Sequence, residues 1–91
     1  MTDTRLLIGS LSSDLFRVAS LKQRGANSAA SRFLKEAIRW ATPLQSQAPK
    51  EYIRKIAKQI TLANTTDISL AQAEQYLMFG ILLQNHALHI D

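Results

Sequence analysis

The residues with the clearest potential for metal chemistry are two histidines near the end of the chain, His86 and His89. Their spacing of three residues would place both imidazoles on one side of a helix, where the carboxylate of Asp91 could complete a site for a divalent metal. Histidines in the last turns of a helix have a simpler explanation, because cations there interact favourably with the helix dipole. We therefore predict no metal site and no cofactor.

Covalent and acid–base catalysis need side chains that this sequence does not group together. Its serines lie in the first predicted helix, in helix caps and in loops, far in sequence from either histidine, and no nucleophile elbow is present. The glycines at positions 9, 25 and 80 are too far apart to form a phosphate-binding loop. The three glutamates fall on three different predicted helices and do not suggest a pair of catalytic acids. These observations predict that the protein is not an enzyme.

Positive charge is concentrated in the middle of the chain. Residues 15–66 contain ten lysines and arginines and two glutamates, a balance of +8 within a chain whose net charge is +4. Six of these cations fall, by helical spacing, on the outer faces of the second and third predicted helices: Arg32, Lys35, Arg39, Lys50, Arg54 and Lys58. Such basic faces attract acidic proteins or the phosphate backbone of nucleic acids, although soluble helices also present lysine and arginine simply to solvent. The sequence leaves these interpretations open.

Four segments of the chain have apolar side chains that recur every three to four residues, the spacing of amphipathic helices. The first segment extends from about residue 3 to residue 24 and ends where Gly25 suits the left-handed C′ position. Its start is less well defined, since Ser13 or Asp14 could cap a shorter helix. No long segment alternates with the period of a strand, so the sequence predicts an all-α bundle of about four helices. We predict that residues 1–91 form a single helical domain.

The second predicted helix begins at a cap, Asn27 or Ser28, and ends near residues 40–42. The helix is expected to end there because Pro43 disfavours helical geometry in the residue before it. Residues 42–48 are then predicted to form a polar connection, which is too long for the turn of a helix-turn-helix motif.

The starts of the third and fourth predicted helices carry local signals. Pro49 suits the first position of the third helix, because its missing N–H needs no intrahelical partner there, and the helix should run to residue 62 or 63. Ser69 and Gln72 have the spacing of a capping box, which predicts that the fourth helix begins at Ser69. We expect the fourth helix to continue to about His89.

The last predicted helix is apolar around its whole circumference, unlike a typical surface helix. Either other helices of the same chain cover it completely, or one row of its side chains faces a second copy and closes a two-fold dimer. Gly80 suits a close approach of another backbone, or is a weak position that packing tolerates. Trp40 could contact a protein partner or pack in the core. The residues predicted to form a protein interface are Trp40, Leu77, Met78, Phe79, Leu82 and Leu83.

Composition narrows the class of protein further. Cysteine is absent, which excludes disulfides, thiolate catalysis and zinc sites with sulfur ligands. We expect no signal peptide, since an acid precedes the first base and small residues interrupt the first apolar stretch. The longest apolar run, residues 76–83, is far shorter than the roughly 20 residues of a transmembrane helix. We therefore expect a cytoplasmic protein that does not bind membranes.

The sequence does not identify a specific role, and two functions remain open. The first is a non-enzymatic regulatory or adaptor module that forms a homodimer and binds a protein with an acidic surface. The alternative is a nucleic-acid-binding protein that uses the basic faces of its second and third helices with little sequence discrimination.

Overall fold

Helices make up most of residues 3–88, the part of the chain that the computed structural model describes. They are α1 (Thr4–Gln23), α2 (Asn27–Gln47), α3 (Glu51–Thr61) and α4 (Leu70–Leu88). Within this part of the chain there is no strand, which confirms the prediction of an all-α fold with four helices. α1 packs against α2 and α4, and α2 packs against α3, so the packing order is α4, α1, α2, α3.

The ends of α1 and the start of α4 follow the local signals in the sequence. The carboxylate of Asp3 accepts a hydrogen bond of 3.0 Å from the backbone N–H of Arg5, and Gly25 ends the helix with a φ of 78°. α1 is therefore one long helix, and the shorter alternative is wrong. At the start of α4, the N–H of Ser69 donates to Gln72 and the N–H of Gln72 donates to the Ser69 hydroxyl, each at 3.0 Å. The predicted capping box is confirmed.

Two predictions for α2 are wrong. Its N-cap is Ala26, which has no side-chain cap, while the amide oxygen of Asn27 accepts a hydrogen bond of 2.9 Å from Lys22. The helix also continues through Pro43 to Gln47. An interior proline costs about 3 kcal/mol, and complete burial of Leu44 contributes about 1.5–3 kcal/mol in return. Because the two effects are similar in size, the burial of Leu44 can offset the cost of Pro43, and the helix continues through the proline.

The longer α2 leaves a connection of only three residues, 48–50, before α3. The predicted polar connection over residues 42–48 is therefore wrong, and so is the reason it gave for excluding a helix-turn-helix turn. Pro49 also lies before the N-cap of α3, Lys50, rather than at the first helical position. The guanidinium of Arg54 donates a hydrogen bond of 2.8 Å to the carbonyl of Ala48 and so fastens α3 to the end of α2.

The core contains apolar side chains from all four helices, and α1 and α4 lie close together at Gly80. A Cβ atom at Gly80 would lie 3.2 Å from Cε1 of Phe16. The buried hydroxyl of Ser12 donates a hydrogen bond of 2.7 Å to the carbonyl of Gly80. Gly80 is therefore a site of close helix contact, as one of the two interpretations expected. Among the described residues, no helix is both long and apolar enough to span a membrane.

Candidate interaction surfaces

One side of α4 exposes large apolar side chains to solvent. We call this surface the outer face of α4. Its five members have exposed fractions between 45% and 68%: Leu70, Met78, Ile81, Leu82 and Leu88. Isolated exposed leucines are common on soluble proteins, whereas a row along one helix is typical of an interaction surface.

The opposite side of α4 packs in the core of the single chain. Ala73, Tyr76, Gly80 and Leu83 are buried there. Leu83 was predicted as an interface residue, but its complete burial removes it from any surface of this fold. The expectation that other helices of the same chain cover α4 completely is therefore wrong, since one side lies in the core and the other is exposed. The alternative, that one row of side chains faces a second copy, stays a prediction.

The remaining predicted interface residues divide between two surfaces. Met78 and Leu82 lie on the outer face of α4, and Leu77 and Phe79 are half-buried at its margins. Trp40 is half-buried on α2, away from that face. The sequence prediction missed Leu70, Ile81 and Leu88, because a helix that is apolar on every side gives no periodic signal for which row faces outward.

A second surface is an open groove of about 960 Å³ between α1 and α2. We call it the arginine groove. Its lining combines cations, a buried acid and exposed apolar groups, chiefly Leu6, Asp14, Arg17, Arg32, Phe33 and Trp40. The small residues Gly9, Ser10 and Ser13 lie on its α1 side and keep that wall low. The groove combines residue types that are enriched at protein contacts, namely arginine and aromatic residues.

A buried carboxylate organises the arginine groove. Asp14 accepts a hydrogen bond of 2.9 Å from the indole Nε1 of Trp40 and one of 3.1 Å from the guanidinium of Arg17. Burial raises the pKa of Asp14 above its ordinary value, and the hydrogen bonds from Trp40 and Arg17 only partly oppose that shift. Because Asp14 joins α1 to α2, this network fixes the Trp40 ring within the groove wall.

Two arginines also lie over aromatic rings at the groove. The guanidinium carbon of Arg17 lies 5.4 Å from the centre of the Phe33 ring, and that of Arg39 lies 5.9 Å from the centre of the Trp40 ring. Arg39 forms an ion pair of 3.3 Å with Glu36. Stacking of this kind restricts the motion of a guanidinium while leaving its outer N–H groups available.

The six predicted basic-face residues are not equivalent. Arg32, Lys35, Arg39, Lys50 and Lys58 are exposed, while Arg54 is half-buried and donates to the Ala48 carbonyl. Arg39 is paired with Glu36, and Arg32 lines the arginine groove rather than a surface shared with α3. The six cations therefore differ in exposure and in the groups they contact.

The candidate metal ligands are only partly within the described residues. His86 contacts α3, with its Nδ1 at 3.2 Å from the hydroxyl of Tyr52. His89 and Asp91 lie outside the described residues. Within residues 3–88, no three histidine, aspartate or glutamate side chains are grouped closely enough to hold a metal ion.

The fold and these surfaces define the protein as an all-α helical bundle with two exposed surfaces of contrasting chemistry. Comparison with protein-family models, with curated proteins and with solved structures finds no match. The chemistry of the two surfaces is therefore the basis for a functional proposal.

Proposed function

We propose that this protein is a non-enzymatic interaction module of the cytoplasm that forms a homodimer through the outer face of α4. The observation that carries the proposal is the row of five large apolar side chains left exposed along that helix. Removing this surface from water contributes roughly 25 cal/mol for each Å² of apolar area. A small domain buries a limited share of its own surface, so association is a common way to gain the rest.

A second copy of this chain suits the outer face because the face is nearly free of charge. Glu74 is the one acidic residue in the sequence of α4, and the helix contains no lysine or arginine. In an antiparallel pair, the two copies of Glu74 would lie at opposite ends and would not repel each other. Met78 of one copy would then pack beside Ile81 and Leu82 of the other, which gives a self-complementary two-fold contact.

The size of the face sets the expected strength of the dimer. α4 has 19 residues and is therefore about 28 Å long. A single pair of helices of this length lies near the low end of specific interfaces, below about 1,200 Å² of total buried area. We therefore expect a dimer that dissociates in the micromolar range.

The test compares two substitutions of an exposed leucine by glutamate. Leu82→Glu places a charge in the proposed interface, whereas Leu62→Glu places the same charge at an exposed leucine at the end of α3. Sedimentation equilibrium should show concentration-dependent dimers for the wild type and for Leu62→Glu, and monomers for Leu82→Glu. A wild-type protein that stays monomeric at several hundred micromolar would refute the proposal, as would equal disruption by both variants.

The alternative function, nucleic-acid binding with little sequence discrimination, is supported by the three-residue connection between α2 and α3 and by exposed cations on both helices. Its test is a titration of random-sequence duplex DNA at increasing salt. Binding that weakens steeply with salt, and weakens further in the variant Lys35→Gln/Lys58→Gln, is expected from phosphate contacts. Absence of binding at low ionic strength would eliminate this function.

A further inference from the structure

We infer that the arginine groove binds an acidic amphipathic helix of a partner protein. This inference rests on the proposed role as an interaction module and specifies the chemistry of its partner. It concerns a surface formed by α1 and α2, distinct from the outer face of α4.

The groove is lined by both cations and acids. Three acids line the groove, and each is bound within the chain. The carboxylate of the exposed Asp3 accepts a hydrogen bond from the backbone N–H of Arg5. Asp14 is buried and bound by Trp40 and Arg17, and Glu36 is paired with Arg39. The cations instead face solvent, since the side chain of Arg17 is 57% exposed and Arg5 and Arg32 are exposed. Within residues 3–88, Arg5 and Arg32 form no ion pair. With Arg39 beside Glu36, four arginines stand against three acids at the groove, and the exposed guanidinium groups leave N–H donors for carboxylates.

The groove that holds these cations also has apolar surface. Leu6 is 62% exposed, and the rings of Phe33 and Trp40 are half-buried in the groove wall. A fully hydrophilic acidic ligand would leave these groups in water. A helix with one apolar face and one acidic face would cover these groups and place carboxylates beside Arg17 and Arg32.

The shape of the groove also determines the kind of ligand that it can hold. It is open to solvent along its length and holds about 960 Å³. Small-molecule sites normally enclose most of the ligand surface, which this open groove does not do. The low wall formed by Gly9, Ser10 and Ser13 leaves room for a second backbone to lie along α1. These features favour a helix over a small ligand.

Trp40 provides a direct probe of this groove because it is the single tryptophan of the chain. The probe ligand is a synthetic amphipathic peptide of about four helical turns, with leucine on one face and glutamate on the other. Its control replaces every glutamate with glutamine. The glutamate peptide should shift the Trp40 emission until the groove is saturated, and added salt should weaken this binding. The glutamine peptide should not shift the emission.

A matched pair of variants distinguishes the groove from general electrostatic attraction. Arg32→Gln removes a cation that lines the groove, and Lys35→Gln removes an exposed cation of the same helix outside it. We expect Arg32→Gln to weaken peptide binding about tenfold, as the loss of a charge-assisted contact does, and Lys35→Gln to change it less than about twofold. Equal effects of the two variants, or equal binding of both peptides, would overturn the inference.

The same titration separates this inference from the proposed dimer. Leu82→Glu should abolish self-association and retain the peptide affinity of the wild type. A wild-type monomer that binds the glutamate peptide in the groove would refute the dimer alone. A wild-type dimer whose Trp40 emission does not respond to the peptide would refute the groove alone.

Discussion

The outer face of α4 and the arginine groove are both exposed, but different forces shape them. The outer face consists of apolar side chains on a single helix, and its helix carries almost no charge. The groove lies between two helices and is organised by a buried carboxylate that binds Trp40 and Arg17. The first surface offers only burial from water, which suits a copy of itself. The second offers directional charge-assisted contacts, which suit a partner of opposite charge.

The two surfaces also differ in how much the fold depends on them. The side chains of the outer face of α4 are 45–68% exposed and lie outside the buried core, so they can change with little loss of core packing. The groove wall contains a hydrogen-bond network that joins α1 to α2, so changes there affect both binding and stability. Substitutions that separate binding from stability test this difference between the two surfaces.

The largest effect is expected from truncating neighbouring leucines on opposite sides of α4. Leu83 is fully buried, so Leu83→Ala should cost about 2–5 kcal/mol of unfolding free energy. Leu82 is 45% exposed, so Leu82→Ala should cost less than about 1 kcal/mol when measured on dilute protein. Urea unfolding followed by circular dichroism measures both. Similar losses for the two variants would mean that the assignment of the inner and outer sides of α4 is wrong.

The same helix shows what the sequence could and could not predict. The capping box of Ser69 and Gln72 is a local signal, so the start of α4 was predictable. Its outward-facing row was not, because that depends on where α1 packs, which an all-round apolar pattern does not encode. The prediction that α2 ends before Pro43 was wrong for a related reason, since the burial of Leu44 depends on tertiary contacts rather than on neighbours in sequence.

The arginine groove could not be derived from sequence spacing. Its central contact joins Asp14 and Trp40, which are 26 residues apart on different helices. Arg32 was predicted as part of a basic face shared with the third helix, whereas the structure places it in this groove. Only the pairing of α1 with α2 brings these residues together, so their spacing along the chain carries no signal.

The next largest effect is expected from Trp40→Phe, which removes a hydrogen bond within the arginine groove and leaves the outer face of α4 intact. Phenylalanine cannot donate to Asp14, so a buried carboxylate loses one of its two hydrogen bonds. We expect a loss of about 1.5–3 kcal/mol in unfolding free energy and an unchanged dimer. Tyr52→Phe is the control, because it removes a hydrogen bond to His86 at an exposed site and should cost under about 0.5 kcal/mol. A dimer weakened by Trp40→Phe would show that the two surfaces are coupled.

A smaller effect is expected at the start of α4, where the side-chain cap contrasts with the uncapped α2. Ser69→Ala removes the hydroxyl that accepts from the N–H of Gln72 and should cost about 1 kcal/mol. Ser13→Ala, at an exposed position inside α1, should be neutral or slightly stabilising because alanine favours helix. Thermal unfolding of both variants gives the comparison. An unchanged stability for Ser69→Ala would show that packing of Ile68 and Ala73, rather than the cap, fixes the first turn.

The smallest expected effect is a pH dependence of the unfolding free energy that arises from Asp14 in the arginine groove. Burial raises the pKa of Asp14 in the folded protein above its ordinary value of 3.8. The folded state then binds this proton more tightly than the unfolded state does. As pH rises from below 3.8 through the raised native pKa, the stability that Asp14 contributes must therefore fall, and above that range it is constant.

Asp14→Asn removes this titration, and its carboxamide oxygen can still accept from Trp40. The unfolding free energy of the wild type minus that of Asp14→Asn should decrease from about pH 3 to neutral pH. In an Arg17→Gln background the decrease should be steeper, because Arg17 opposes the rise in the pKa of Asp14. A difference that instead grew with pH would mean that the hydrogen bonds from Trp40 and Arg17 outweigh burial. The charged carboxylate of Asp14 would then be a net source of stability at neutral pH.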